Sequence, residues 1–278
     1  MNAGELLAHG REQLRNLEVG ALEAEILLCD VLGVNRAWLY ANPEQHPTAQ
    51  QCADYMEWIG RRRNGEPIAY LTGKREFWSL PLKVTPDVLI PRPETELLVE
   101  TALGRIPTDA DWRVADLGTG SGAIAIAIAI ERPRCEVHAT EYSEAALAVA
   151  VANGLALARG KVQFHHGSWL SPLEGCFQVI LSNPPYVAAD DEHLDQGDCR
   201  FEPGAALTPG SDAMASIREI SHEGRKYLAP GGMLAFEHGY EQGNDARQLL
   251  KELGYSDVNT IDDLEGRERV TLGIWSRV

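Results

Sequence analysis

After Trp112 the sequence alternates between short β-branched segments and longer helical segments, and this alternation is its strongest constraint on the fold. It is typical of a parallel sheet with helices on both faces. The last two predicted strands are joined by "DDLEGRE" without a helix, as an antiparallel strand at the end of an otherwise parallel sheet requires. Strands are predicted near 113–117, 136–140, 161–165, 177–182, 232–237, 256–260 and 269–275, and helices near 121–131, 143–157, 212–228 and 243–253.

The N-terminal part of the chain is predicted to be helical. "GALEAEILLCDVLG" places Leu22, Ile26 and Leu27 at helical spacing and ends at Gly33, and a later helix starts on Thr48 as its N-cap. Aromatic residues and prolines then predict a short hairpin or linker. We therefore divide the chain into three regions: helices over 1–73, a hairpin or linker over 74–91, and the strand–helix region over 92–278.

Charge and cysteine content narrow the classes of function. The formal net charge of −16 argues against holding duplex DNA or RNA by phosphate contacts, although a local basic patch is compatible with it. An acidic chain favours a partner with a basic surface. The closest cysteines in the sequence, Cys29 with Cys52 and Cys176 with Cys199, are too far apart for a CxxC pair, so we expect neither a metal site nor a disulfide framework.

The first residues, "MNAGELLAHGREQLRNL", are charged and amphipathic, so no secretory signal is predicted. The longest apolar stretch, 123–130, is too short to span a bilayer. We therefore expect a cytoplasmic protein.

A glycine loop follows the first strand of the strand–helix region, in "VADLGTGSGAIAIAIA". Its glycines permit close backbone approach to a ligand at the positive end of a helix. The loop formally fits the dinucleotide pattern, but a carboxylate at Asp116 is awkward beside a pyrophosphate. It suits a positively charged ligand such as S-adenosylmethionine. The predicted cofactor-binding residues here are Asp116, Gly118, Thr119, Gly120, Ser121 and Gly122.

Two further residues at strand ends are predicted to bind the same cofactor. Glu141 ends the second strand and is well placed to accept hydrogen bonds from both ribose hydroxyls, since Ser143 serves as the following N-cap. Trp169 follows the third strand in "HHGSWL", where it could flank an adenine ring or belong to the core.

The segment "ILSNPPYV" places an amide and two prolines directly after a buried strand. Proline fixes φ and restricts the residue before it, so Asn183 and Pro184 are rigid and their carbonyls are not taken up by a helix. The Asn183 side-chain oxygen and the Pro184 carbonyl form a pair of acceptors beside the flat ring of Tyr186. This pair matches the two donors of a planar –NH2 group and would align a weakly nucleophilic nitrogen.

These motifs together resemble the class I S-adenosylmethionine-dependent methyltransferases of the NPPY group, which methylate planar nitrogens. The stretch "GEPIAYLTGKREFWSLPLKVTPDVLIPRPETE", followed by "DLGTGSGAIAIA", "SNPPYV" and "FEP", is most similar to the peptide chain release factor glutamine methyltransferase family. The resemblance covers essentially the whole chain.

The resemblance implies a seven-stranded, mostly parallel, doubly wound methyltransferase sheet over 92–278 and a small all-helical substrate-recognition domain over 1–73. It implies transfer of a methyl group from S-adenosylmethionine to the glutamine amide nitrogen of the Gly-Gly-Gln loop in class 1 release factors. Asn183 would contact the cofactor as well as the substrate. The implied catalytic residues are Asn183, Pro184 and Tyr186, and the implied substrate-binding residues are Asn183, Pro184, Pro185 and Tyr186.

The chain departs from the family pattern at Ser168, where an acid that would contact the adenine amino group is common. The acidic loop 189–198 is expected to cover the site and to meet basic surface on the release factor. We expect a monomer that binds neither nucleic acid nor membrane directly.

Several alternatives stay open at this stage. They are a glutamine methyltransferase acting on a ribosomal protein and an adenine or guanine N-methyltransferase acting on DNA or rRNA. From other classes, an NAD-binding oxidoreductase and a non-catalytic binding module remain. Loss of function in Asn183→Ala would argue against a binding module.

Overall fold

The computed structural model describes residues 1–276, which divide into two compact units after Lys74. The N-terminal unit is all-helical. Its core contains the fully buried side chains of Leu6, Leu27, Leu28 and Tyr55. Its helices are α1 (Ala3–Gln13), α2 (Gly20–Leu32), α3 (Arg36–Ala41), α4 (Ala49–Arg63) and α5 (Ile68–Thr72).

The helix termini of the N-terminal unit follow the sequence signals, and of the three apolar residues at helical spacing on α2 only Leu27 is buried. Gly33 ends α2 in the left-handed conformation, and Thr48 caps α4 through a reciprocal capping box with Gln51. Leu22 and Ile26, however, are 40% and 37% exposed. The helix turns its Leu27 face toward the core, because helical spacing alone does not decide which of two apolar faces is buried.

The C-terminal unit contains the predicted seven-stranded sheet, with spatial order β5-β4-β3-β6-β7-β9-β8. The central pairs are parallel, and β9 is antiparallel to both of its neighbours. The antiparallel strand was expected at the end of the sheet, but it lies between β7 and the edge strand β8. The strands are β1 (Lys74–Phe77), β2 (Leu80–Lys83), β3 (Arg113–Leu117), β4 (Glu136–Glu141), β5 (Val162–His166), β6 (Phe177–Ser182), β7 (Leu228–Glu237), β8 (Ser256–Asp262) and β9 (Glu268–Trp275).

Helices follow the strands as the alternation predicts. Helix α7 is the most apolar of them, and its residues from Ala123 to Ala129 are all buried. Within residues 1–276, no helix combines the length and the apolar character needed to cross a bilayer. The helices are α6 (Glu96–Arg105), α7 (Ala123–Glu131), α8 (Glu144–Leu157), α9 (Gly204–Leu207), α10 (Ala215–Tyr227) and α11 (Gly243–Glu252).

The predicted hairpin is formed by β1 and β2, joined at Trp78 and Ser79, which both have positive φ. The buried Asn153 on α8 ties the end of this hairpin to the glycine loop. Its Oδ1 accepts from the backbone N–H of Lys83 at 2.8 Å, and its Nδ2 donates to the carbonyls of Lys83 and Ser121 at 2.9 and 2.8 Å. One amide therefore satisfies three backbone groups from two segments beside the site.

Asp116 lies in β3 directly beneath the glycine loop. Its Oδ2 accepts from the Thr119 hydroxyl at 2.6 Å and from the backbone N–H of Ala125 at 3.2 Å. Its Oδ1 is buried and has no partner among the described residues. Burial raises the pKa of this carboxyl to about 7, and the neighbouring Glu141 charge adds to the rise.

Asp116→Asn should change how the stability of the ligand-free protein depends on pH. An acid with a raised pKa in the folded state binds more protons there than in the unfolded chain, so its contribution to stability falls as pH rises from about 4 to about 7. The asparagine variant lacks this loss, which is on the order of a few kcal/mol. Denaturant unfolding at a series of pH values should show that the free energy of unfolding of the variant increases relative to that of wild type across this window.

The control is Asp190→Asn, at an exposed position. Its unfolding free energy should run parallel to that of wild type. Parallel curves for Asp116→Asn as well would contradict a proton held on Asp116 in the folded state.

Candidate active site

The parallel register of the central strands brings four chain segments to one edge of the sheet. Leu117 of β3 pairs with Thr140 of β4 and with Ser182 of β6, and Ser182 pairs in turn with Phe236 of β7. The chain leaves this row at the carboxyl end of each strand. The next residues are Gly118, Glu141, Asn183 and Glu237. Ligands of open α/β sheets bind at this edge.

A cavity of about 480 Å³ opens at this edge and joins the glycine loop to Asn183. Its volume is in the range of small-molecule and cofactor sites. Asp116, Gly122, Pro184 and Tyr186 do not contribute to its wall. The predicted site residues that line it are Gly118, Thr119, Gly120, Ser121, Glu141, Trp169, Asn183 and Pro185.

The glycine loop is held by the neighbouring strand. The backbone N–H groups of Gly118 and Thr119 both donate to the carbonyl of Thr140, at 2.9 and 3.0 Å. Gly118, Gly120 and Gly122 all have positive φ. This conformation requires glycine, because a side chain there is strained. The glycines predicted from the motif therefore shape the loop, with Gly122 serving as the N-cap of α7 behind the wall.

Glu141 lies on the cavity wall with its carboxylate already fixed. Its Oε2 accepts from the backbone N–H of Gly120, and its Oε1 accepts from the backbone N–H of Ser143, both at 2.9 Å. Each carboxylate oxygen can accept a further hydrogen bond. The arrangement is suited to a vicinal pair of hydroxyl groups, as predicted for the ribose.

Trp169 has a φ of 44°, an uncommon conformation for a bulky residue. Its ring lies against the loop so closely that a Cβ on Gly118 would come within 3.1 Å of it. Ser168, where an acid was expected, lines the cavity beside it. The aromatic ring thus forms a wall next to the glycine loop, and a hydroxyl takes the place of the acid.

Asn183 follows β6 and lines the cavity together with Thr95, which the sequence analysis did not single out. Its Nδ2 donates to the Thr95 hydroxyl at 3.1 Å. Within residues 1–276, Asn183 Oδ1 has no hydrogen-bond partner, so it is available to a ligand. This is the amide atom that was predicted to act as an acceptor.

Tyr186 was predicted to provide a flat face beside the amide, but its ring packs against the core cluster around Phe236. Its hydroxyl donates to Glu237 Oε1 at 3.0 Å. Burial and the Glu237 charge raise the pKa of Tyr186, so the phenol stays protonated. Pro184 is buried behind the wall, while Pro185 reaches the cavity. The rigid turn is present. Tyr186 anchors this turn to Glu237 and does not line the cavity.

The rim of the cavity contains residues that the sequence analysis missed. Arg92 lines it and forms an ion pair with the buried Glu202, whose Oε1 also accepts from the backbone N–H of Ile90 at 3.0 Å. The segment 203–209 contributes to the wall, whereas 189–198, all of which the structure describes, does not. The cavity wall here is therefore formed by 203–209 and not by the acidic loop, and the Glu202 carboxylate holds the start of that segment at the rim.

The wall satisfies the needs of S-adenosylmethionine. Glu141 presents carboxylate acceptors, Trp169 an aromatic surface, and the glycine loop a backbone without side chains at its glycines. No cluster of three or more potential metal ligands occurs in the part of the chain that the structure describes.

Comparison with known proteins agrees with this assignment. Residues 5–73 match the family model described as the PrmC N-terminal domain, and residues 93–202 match the methyltransferase small domain. The release factor glutamine methyltransferase of Salmonella typhimurium is 48% identical over 94% of each chain. The protein of the same name from Pseudomonas aeruginosa is 46% identical over 95% of this chain and 96% of its own.

A solved methyltransferase from Pyrococcus furiosus shares the fold, with a TM-score of 0.54 and 19% identity over 80% of this chain and 99% of its own. That likeness concerns the fold alone. Sequence identity to the curated relatives extends over nearly the full length of both chains. The chain therefore belongs to the release factor glutamine methyltransferase family.

Proposed function

We propose that this chain transfers a methyl group from S-adenosylmethionine to the side-chain amide nitrogen of the glutamine in the Gly-Gly-Gln loop of class 1 release factors. The observation that carries the proposal is the single cavity shared by the glycine loop, Glu141 and Asn183. Curated relatives with nearly full coverage bear the name of this activity. The glutamine and the cofactor would meet at Asn183.

The cofactor half of the cavity binds and orients. Glu141 accepts from the ribose hydroxyls while two backbone N–H groups hold its carboxylate in place. Trp169 and Ser168 border the adenine position, and Asp116 shapes the loop from below through Thr119. When bound, S-adenosylmethionine would supply the electrophilic methyl group, and cleavage of its methyl–sulfur bond would leave S-adenosylhomocysteine.

The substrate half holds a poor nucleophile. The nitrogen lone pair of a carboxamide is delocalised into its carbonyl, so both N–H groups must be oriented before it can react. Asn183 Oδ1, at the cavity wall, accepts one of these hydrogens. The carbonyl of the adjoining Pro184, a residue that does not itself line the cavity, is proposed to accept the other when the glutamine binds. The acceptor dipoles stabilise positive charge that develops on the nitrogen. The methylated nitrogen then loses one proton to water, and the product is a secondary amide.

The site requires a planar –NH2 group, and the choice of glutamine rests on the family. A nucleobase substrate is less compatible with a net charge of −16, since phosphate contacts favour basic surfaces. The N-terminal unit, 1–73, is proposed to recognise the protein substrate. We place the enzyme in the cytoplasm, where release factors work, and propose that it acts as a monomer.

The first test is methyl transfer from tritiated S-adenosylmethionine to purified class 1 release factors. Label should enter wild-type release factor and should be absent from a release factor whose loop glutamine is replaced by alanine. Equal labelling of both proteins, or labelling of ribosomal protein in their place, would contradict the proposed substrate.

Asn183→Ala should raise the activation free energy by about 2–4 kcal/mol and so lower kcat, because it removes one preorganised acceptor. Cofactor binding should be largely kept, since the loop, Glu141 and Trp169 remain. Calorimetric titration with S-adenosylhomocysteine and steady-state kinetics measure the two effects separately. A variant with full kcat would refute the proposed role.

We propose that the acidic loop contacts a basic surface of the release factor. The exposed acids that would make this contact are Asp190, Glu192 and Asp195. Changing all three to lysine should lower kcat/KM for intact release factor roughly tenfold at low salt and less at high salt. A short Gly-Gly-Gln peptide should be methylated at the wild-type rate, because it does not reach the loop.

A matched control places the same charges elsewhere. Asp109, Asp111 and Glu174 are exposed near the amino ends of β3 and β6, at the edge of the sheet opposite the cavity. Their change to lysine should leave kcat/KM for release factor near that of wild type. Equal kinetics in both triple variants would show that the acidic loop has no part in recognition.

A further inference from the structure

Four polar side chains from distant parts of the sequence form one hydrogen-bonded cluster, here called the Glu237 cluster, of which Asn183 and Thr95 line the cavity and Glu237 and Tyr186 do not. Glu237 ends β7 and is 1% exposed. Its Oε2 accepts from the Thr95 hydroxyl at 2.6 Å, and its Oε1 accepts from the Tyr186 hydroxyl at 3.0 Å. The Thr95 oxygen accepts in turn from Asn183 Nδ2 at 3.1 Å. The cluster therefore links a buried acid to the amide on the cavity wall.

The donors and acceptors in this cluster allow one orientation of the Asn183 amide. A hydroxyl has a single proton, and the proton of Thr95 is donated to the Glu237 carboxylate. The Thr95 oxygen then has only lone pairs left, so Asn183 must present its NH2 group to it. A flipped amide would set the oxygens of Thr95 and Asn183 against each other, with no hydrogen between them.

The orientation matters because the two ends of an amide have opposite chemistry. With Nδ2 on Thr95, the free atom Oδ1 can accept a hydrogen from a substrate –NH2 group. With the amide flipped, a donor would face the donors of the substrate. Without the cluster, the two orientations would differ little in energy, since the side-chain oxygen and nitrogen are nearly equal in size.

Neighbouring groups keep the acid in place and partly offset the cost of its burial. The Tyr186 backbone carbonyl accepts from Gln242 Nε2 at 2.9 Å, which fixes the turn that carries the phenol. Burial raises the pKa of Glu237, while the two hydroxyl donors and the Arg269 guanidinium oppose the rise. Thr95 itself is buried directly before α6, so its rotamer is restricted by packing.

We propose that Glu237 and Thr95 are positioning residues that hold the Asn183 amide with Oδ1 toward the substrate nitrogen. The proposal rests on the proposed function of Asn183 as an acceptor for an –NH2 group. Tyr186 contributes by fixing the second oxygen of the same carboxylate. The tyrosine of the NPPY segment then acts through Glu237 and not through contact with the substrate.

Thr95→Val tests the proposal, because it keeps the shape of the side chain and removes the hydroxyl. It should lower kcat on release factor by about 10²-fold, as for a misplaced catalytic group, while the KM for S-adenosylmethionine stays near that of wild type. Thr95→Ser restores the hydroxyl and should restore kcat. The control Thr101→Val removes a hydroxyl that binds a carbonyl of its own helix α6 and should leave kcat unchanged.

A double-mutant cycle separates positioning from direct contact. If Thr95 acts through Asn183, adding Thr95→Val to Asn183→Ala should lower kcat no further. Additive losses of kcat would mean that Thr95 contacts a ligand independently of Asn183, and they would overturn the proposal. A wild-type kcat in Thr95→Val would overturn it as well.

A second readout needs no substrate and therefore separates this inference from the proposed function. Hydrogen exchange of the Asn183 side-chain NH2 group, followed by ¹⁵N NMR in the free protein, should be slow in wild type and Thr95→Ser and fast in Thr95→Val. Equal exchange in all three proteins would overturn the positioning role even if release factor is methylated. Failure of wild type to methylate release factor, with exchange as predicted, would overturn only the substrate.

Discussion

The parallel pairing of β3 with β4 and β6 is the constraint on which the rest of the site depends. Because Leu117 lies in register with Thr140 and Ser182, the next residues of all three strands emerge side by side. Each strand end supplies a different component: a glycine loop, a carboxylate and an amide. The sheet thus determines the spacing of the site, and the loops only complete it. A shift of one residue in either pairing would separate Asn183 from the cofactor loop.

A chain rich in acids uses three buried ones to hold the parts of the cavity. Asp116 anchors the glycine loop, Glu202 joins the 90–92 segment to the rim, and Glu237 anchors Thr95 and Tyr186. Burial is the main cause that raises the pKa of each. Burying a carboxylate is unfavourable unless it is hydrogen-bonded, so each acid fixes its donors in return. The resulting rigidity is what alignment of a weak nucleophile requires.

The strand–helix pattern and the chemistry at strand ends could be predicted from the sequence, because both depend on local periodicity and on residues such as Gly118, Glu141 and Asn183. The supporting residues could not. Thr95 lies 88 residues from Asn183 and 142 from Glu237, and no local spacing connects them. One signal was present: Glu237 ends a predicted strand, as Glu141 does. The position of β9 between β7 and the outermost strand β8 depends on tertiary packing, which local patterns do not encode. The same is true of the exposure of Leu22.

In the proposed reaction, two fixed oxygens hold a glutamine amide at the end of the cofactor cavity. A crystal structure with S-adenosylhomocysteine and a Gly-Gly-Gln peptide tests it most directly. We expect Asn183 Oδ1 and the Pro184 carbonyl oxygen each to lie about 2.7–3.2 Å from the glutamine side-chain nitrogen. Thr95 should remain on Asn183 Nδ2. A glutamine side chain bound away from Asn183, or held there through its own carbonyl oxygen, would contradict this arrangement.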